Sequence, residues 1–171
     1  CEEGMGTWPA KVAEFDPDVV VMLTGPWELY DRRLDGDPPV SPGDRLFDQW
    51  LTGQFLRAAD LLSAGGADVV WLTSPCILET DRAGTFAGAE VFDPERTRVL
   101  NEEIITAVAE QRPDSVVVRD LFGLLCPPGG YAGRIGPVDD GRPDGLHFAD
   151  EAKPWLADWI MPMLLTDPIG P

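Results

Sequence analysis

Lysine and histidine are almost missing from this chain of 171 residues. It has two lysines, Lys11 and Lys153, and a single histidine, His147. The 13 basic residues face 30 acidic ones, a net charge of −17, so a phosphate backbone would be repelled and nucleic acid is excluded as a partner. Two scattered lysines make no polybasic patch for an anionic membrane. No apolar run is long enough to span a bilayer and no signal peptide is recognisable, so direct membrane insertion of this chain is not expected. Serine is scarce too, with only Ser41, Ser63, Ser74 and Ser115. There are no internal repeats, and no phosphate-cradling glycine motif precedes a helix. A calcium loop fails because Asp31-x-x-x-Asp35-Gly36 has Arg33 where a ligand is needed and lacks the terminal Glu. One His with scattered Cys makes a poor zinc set. No metal or cofactor is therefore expected.

The rest of the composition, 44% apolar and 25% charged, is that of a globular domain, and this length fits one domain over 1–171 that buries roughly 70% of its unfolded surface. The chain begins at Cys1 without an initiator Met, which reads as a processed or excised piece of something longer.

Three apolar runs, Val19–Thr24, Val69–Thr73 and Val116–Val118, have the unbroken character of strands buried on both faces of a parallel sheet. Helical patterns alternate with them. A short one over Gly6–Phe15 puts Trp8, Val12 and Phe15 on one face. A second, capped by Asp44, carries Phe47, Trp50, Leu51, Phe55, Ala58 and Leu62 and closes at Gly65-Gly66. A third opens at Asp93-Pro94-Glu95, buries Val99, Leu100, Ile104, Ile105 and Val108, and ends before Pro113. An irregular stretch from Leu121 to Leu146 follows. Asp150 then caps a last helix with Trp155, Leu156, Trp159, Ile160 and Met163 facing inward, which Pro162 should kink or end. The alternation predicts an α/β fold with helices on the faces of a parallel sheet, and ligands in such folds bind beyond the carboxyl ends of the strands. Gly25-Pro26-Trp27, Ser74-Pro75-Cys76 and the stretch leading to His147 all fall at that end.

Within Arg142-Pro143-Asp144-Gly145-Leu146-His147-Phe148, Asp144 lies three residues before the lone His. In a tight turn at Gly145 the carboxylate can curl back to accept from imidazole Nδ1, fixing the tautomer and leaving Nε2 as a general base. The bland alternative is a surface loop with an idle histidine. Cys76 and Cys126 each follow a strand-like run and are placed to meet. A bridge closing their fifty-residue loop contributes roughly 4 kcal/mol in the chain-entropy model, favours an extracytoplasmic compartment, and leaves Cys1 over for a partner upstream. Three reduced thiols are the alternative.

These residues resemble the SGNH, or GDSL-type, hydrolase superfamily of serine esterases and acyltransferases. Asp144-Gly145-Leu146-His147-Phe148 is similar to the family's closing Asp-x-x-His block before its last helix, and Gly25-Pro26-Trp27 stands at its Gly-x-Asn block. Pro17-Asp18-Val19-Val20-Val21, Pro75-Cys76, Leu125-Cys126-Pro127 and Arg142-Pro143-Asp144-Gly145 look like the SGNH domains fused behind the membrane domain of acyltransferase-family-3 proteins, which modify cell-envelope glycans. The resemblance spans nearly the whole chain. It implies a flavodoxin-like three-layer α/β/α fold with its first strands missing, catalytic His147 and Asp144, and Gly25 and Trp27 at the oxyanion or substrate. It also implies an acyl-ester or glycan substrate and a site outside the cytoplasm, on the cell surface or periplasmic side, tethered through a missing N-terminal membrane region.

The departures are as informative. No Gly-Asp-Ser block is present. Ser63 reads as a helix end, Ser115 as a strand start and Ser41 as part of a Pro-rich loop, while Ser74 fits the family's Pro-Cys segment and not the nucleophile. The oxyanion glycine of the second block is also missing unless Gly4 or Gly6 fills it, and Trp27 replaces the Asn of the third, as some SGNH domains of the membrane-acyltransferase type also lack it. The expectation is an esterase or O-acyltransferase domain whose nucleophile comes from a missing N-terminal segment or a membrane acyltransferase partner, with this chain alone inactive. A strand Val19–Thr24 left at an open edge is a further expectation. A non-catalytic SGNH-like glycan-binding module, using the aromatic rim, is the alternative. A plain α/β domain with a coincidental Asp-x-x-His is the third.

Overall fold

In the computed structural model, residues 5–34, 36, 38–79, 89–128 and 130–166 are described; Cys1, Gly4 and Asp35 lie outside them. Three strands, β1 (Val19–Leu23), β2 (Asp68–Leu72) and β3 (Val116–Arg119), form one parallel sheet in the order β1-β2-β3. The register sets Val21 beside Val70 and Val70 beside Val117. The helices are α1 (Trp8–Phe15), α2 (Arg45–Leu62), α3 (Pro94–Arg98), α4 (Thr106–Gln111), α5 (Leu121–Leu125) and α6 (Lys153–Leu165). A π-helical stretch, Val99–Ile105, joins α3 to α4 without a break. The chain is a mixed α/β domain with helices against both faces of its sheet. No helix among the described residues is long and apolar enough to cross a membrane.

Strand alternation divides the core. Val69, Trp71 and Val116 point to one face, where they meet Val12, the α2 stripe from Phe47 to Leu62, and Leu100, Ile104, Ile105 and Val108. Trp71 is its centre: its ring lies 4.6 Å from that of Phe55, and its indole N–H donates to Thr24 Oγ1 at 3.3 Å. Val70 and Leu72 point to the other face, against Leu121, Leu125, Ile135 and the half-buried Trp155, Leu156, Trp159 and Ile160 of α6. Trp155 lies so close over Gly136 that a Cβ there would come within 2.4 Å of the indole.

Several elements differ from the sequence expectation. The β1 strand is covered only in part: Val20 and Met22 pack on the first core and Val19 against the second, but Val21 and Leu23 are 41% and 46% exposed because no described element covers them. Among the described residues β1 is hydrogen-bonded to β2 alone and forms an edge of the sheet. On α1, Val12 is buried and Trp8 packs partly against the same core, but Phe15, expected on that face, is exposed. Asp44 stands at the N-cap of α2, yet its carboxylate turns back to accept from the Ser41 N–H and hydroxyl. A short helix, α5, occupies the start of the stretch expected to be irregular. Asp120 begins it by accepting from the Gly123 N–H at 2.8 Å. Asp150 lies in a 3₁₀ turn, Asp150–Ala152, ahead of α6 and does not cap it, and α6 runs through Pro162 to Leu165.

Cys76 and Cys126 form a disulfide with Cα atoms 6.0 Å apart, joining the segment after β2 to the end of α5. Replacing both by Ser is expected to lower unfolding stability by about 2–4 kcal/mol in urea titrations, because a loop of 50 residues regains its freedom in the unfolded chain. At the sheet edge, Leu23→Lys is expected to raise the monomeric fraction in light scattering, since a charge on an open apolar strand opposes pairing with another copy.

Candidate active site

The carboxyl ends of β1 and β2 lead into the two loops that floor the site. After β1, Gly25 is extended and Pro26–Glu28 makes a 3₁₀ turn. Glu28 Oε2 reaches back to accept from the Gly25 N–H at 3.0 Å, so Gly25 borders the site with its amide already engaged. Burial pushes the Glu28 carboxyl above its ordinary range, more than the bond from the Gly25 amide lowers it. Trp27, 61% exposed, stands at the rim beside Tyr30, with ring centroids 6.0 Å apart.

After β2, Ser74 is fully buried. Asn101, the chain's sole asparagine, clamps it: the Ser74 N–H donates to Asn101 Oδ1 at 2.7 Å, and Asn101 Nδ2 donates to the Ser74 carbonyl at 2.9 Å. Asn101 projects from the π-helical stretch, a widening of the helix that recurs at functional sites. The Ser74 hydroxyl has no hydrogen-bond partner in the protein.

The third loop carries the acid–base pair. The Gly145 N–H donates to the Arg142 carbonyl at 3.0 Å, closing a turn that needs Gly145 at φ +80°. Asp144 Oδ1 then accepts from the Leu146 N–H at 2.9 Å and the His147 N–H at 2.7 Å, while Oδ2 meets His147 Nδ1 at 2.5 Å. Burial raises the Asp144 carboxyl, but the His147 bond and the two backbone donors outweigh it and hold the group below its ordinary range. An ionised acceptor at Nδ1 selects the tautomer that leaves Nε2 basic. The imidazole is 70% exposed, as a base that must meet a substrate requires.

Gly25, Trp27, Ser74 and His147 all line one cavity of about 520 Å³. Its other walls are largely apolar, with Met5, Trp8, Met22, Leu23, Trp50 and Phe55 among them, and Thr24, Glu28 and Gln54 as polar exceptions. Met22 and Leu23 point to opposite faces of the sheet, so the cavity wraps the carboxyl end of the open β1 edge. The Cys76–Cys126 bridge lies outside its lining but one residue beyond Pro75, which belongs to it.

Asn101, Glu28 and Gln54 have no part in the sequence expectation, and Arg142 enters it only as the first residue of the Arg142-Pro143-Asp144-Gly145 block. A lone asparagine inside the apolar stripe of a helix was a usable signal for the first. The bonds of Glu28 and Arg142 run to the backbone of Gly25 and Cys76, which no side-chain pattern records.

The cavity lies at the carboxyl ends of β1 and β2, and the chain is a mixed α/β domain with a three-stranded parallel sheet. Compared with known proteins, it matches no family model and has no significant match among curated proteins.

Glu28 yields a test of the cavity wall. A carboxyl whose folded-state pKa is raised destabilises the fold once it ionises, so its cost is absent below the unfolded value, near 4.3, and grows as pH rises through the folded one. Glu28→Gln, which keeps an acceptor for Gly25, is expected to be more stable than the parent at pH 7 and equal to it near pH 3, in denaturant titrations at both values.

Proposed function

We propose that this chain is the acid–base portion of an SGNH-type serine esterase or O-acyltransferase that acts outside the cytoplasm on an acyl ester or a cell-envelope glycan. The observation that carries the reading is the Asp144–His147 bond at the mouth of an apolar cavity shared with Gly25 and Trp27. A flavodoxin-like sheet completed at the β1 edge is part of the same proposal. The serine nucleophile comes on a strand laid against that edge, from a segment preceding this chain or from a membrane acyltransferase partner. Val21 and Leu23, which no described element covers, and the cavity at the strand's carboxyl end are the surfaces such a strand would bury.

In the completed site the serine Oγ attacks the acyl carbonyl while His147 Nε2 removes its proton. Collapse of the tetrahedral intermediate expels the alcohol, which takes that proton from His147, and leaves an acyl-serine. Water or an acceptor hydroxyl, deprotonated in turn by His147, then releases the acyl group. Asp144, kept ionised by its three donors, stabilises the imidazolium at each transfer. Gly25, whose amide is engaged by Glu28, and Trp27 border the position of the oxyanion in this reading.

Ser74 is not the nucleophile in this reading: its side chain is fully buried, and Asn101 holds both of its backbone groups. A non-catalytic glycan-binding module is the second reading, favoured by the exposed Trp27 ring beside Tyr30, a surface on which a sugar face can stack.

Alone, the 171-residue chain is expected to give no ester hydrolysis above background and no fluorophosphonate labelling; stoichiometric labelling at Ser74 would overturn the reading. Joined to a serine-bearing strand that restores turnover, His147→Ala is expected to lower kcat about 10⁶-fold and Asp144→Asn about 10⁴-fold. Full turnover in both variants excludes the pair from the chemistry, and a complete protein that binds glycan without turnover supports the binding module.

A further inference from the structure

Arg142 is only 2% exposed; it forms no salt bridge among the described residues, and the Asp144 carboxylate acts on it only through space. Its guanidinium donates one bond, from Nη2 to the Cys76 carbonyl at 2.5 Å, and lies 4.6 Å over the Tyr131 ring. Its Nε and Nη1 have no partner in the protein. A buried guanidinium with two idle donors costs stability, since an apolar side chain of similar volume would fill the space without losing hydration. What it supplies is connection. The residue begins the turn that ends at His147, and its side chain ties that turn to Cys76, whose sulfur is bonded to Cys126. Two more bonds close the same frame: the Tyr131 hydroxyl donates to the Arg142 carbonyl at 2.9 Å, and the Leu78 N–H donates to the Gly145 carbonyl at 3.1 Å.

We propose that Arg142 is a positioning residue: through Cys76 and Tyr131 it anchors the Asp144–His147 turn to the disulfide-linked loop and holds the imidazole in the Nδ1-bonded geometry. This rests on the catalytic reading of that pair. The turn's own bonds to Asp144 set its internal shape, but they do not fix where it sits relative to the sheet. The contacts of Arg142 and Leu78 do. His147 is largely in solvent, where water competes for Nδ1 and a loosened turn would let it in.

The lone histidine makes the test direct, because every imidazole signal in an NMR spectrum of the chain belongs to His147. The parent is expected to show an Nδ1-protonated ring with a slowly exchanging Nδ1–H resonance. Arg142→Met, similar in length and uncharged, is expected to lose that resonance while near-ultraviolet circular dichroism stays native. Arg142→Lys keeps the charge and a donor for Cys76 but not the plane over Tyr131. It is expected to exchange about tenfold faster, the equivalent of ~1.4 kcal/mol, and serves alone if the Met variant does not fold. Arg112→Met, which breaks a surface pair with Asp60, controls for stability loss and should leave the ring signal unchanged. A folded Met variant with the parent's signal, or a Lys variant with the parent's exchange rate, overturns the proposal. Asp144→Asn separates the two readings. If it leaves the ring signal unchanged, the pairing itself fails. If it abolishes the signal and the Arg142 variants do not, only the anchoring role fails.

Discussion

A carboxylate with three N–H groups gathered around it is the constraint on which this site depends. Asp144 accepts from Leu146, from His147 and from the His147 ring, so one side chain shapes the turn, orients the imidazole and chooses its tautomer. The arrangement is compact because the carboxylate and its three donors lie within four residues, 144 to 147. Gly145, at φ +80°, is what lets the chain fold back over so short a distance. Placed elsewhere on the surface the same turn would be an ordinary polar loop. Its position at the mouth of an apolar cavity, at the carboxyl ends of parallel strands, is what gives it chemical interest.

Each loop around that cavity is fixed by a side chain from a different element. The indole of Trp71, buried in β2, reaches Thr24 at the end of β1. Asn101, from the π-helical stretch, clamps both backbone groups of Ser74 after β2. Arg142 reaches Cys76, two residues further along. The three ties join neighbours across the sheet and its flanking helix, and a displacement of any one loop strains its attachment to another. Such cross-linking is how a loop-built site gains the stiffness of the scaffold beneath it.

The architecture was legible where periodicity was strong. The three Val-rich runs are the three strands, in parallel and in sequence order, and the stripe from Val99 to Val108 is buried as expected. Asp144 and His147 were legible because a short-range turn leaves its signature in adjacent residues, and the Cys76–Cys126 pairing because both cysteines follow strand-like runs and meet at one end of the sheet. Less was legible at the margins. An apolar strand looks the same whether one face or both are covered, so the exposure of Val21 and Leu23 follows from what lies beside them and not from β1 itself. Leu121–Leu125 is too short to show a helical period, and Pro162 is tolerated inside α6, whose N-terminal turns pack Trp155, Leu156 and Trp159 on the sheet. Arg142, Asn101 and Glu28 act largely through backbone atoms, which carry no trace in a side-chain pattern.

The cavity and the open edge are best understood together. Met22 and Leu23 lie on opposite faces of β1, yet both line the cavity, which therefore continues the line of the sheet beyond its last strand. Its walls include a carboxyl that burial has pushed up and two residues whose buried polar atoms, Ser74 Oγ and Gln54 Oε1, have no protein partner. Polar groups removed from water without partners cost free energy, and so does apolar strand surface left uncovered. The two costs meet at this corner of the domain, where the open β1 edge borders the cavity. A strand added at that corner would cover the apolar edge, offer backbone donors and acceptors to the orphaned groups, and bring its own carboxyl end to the side of the cavity where His147 stands. On the proposed reading, completing the sheet and completing the catalytic site are therefore a single event, with folding energy gained at the edge serving to place the nucleophile.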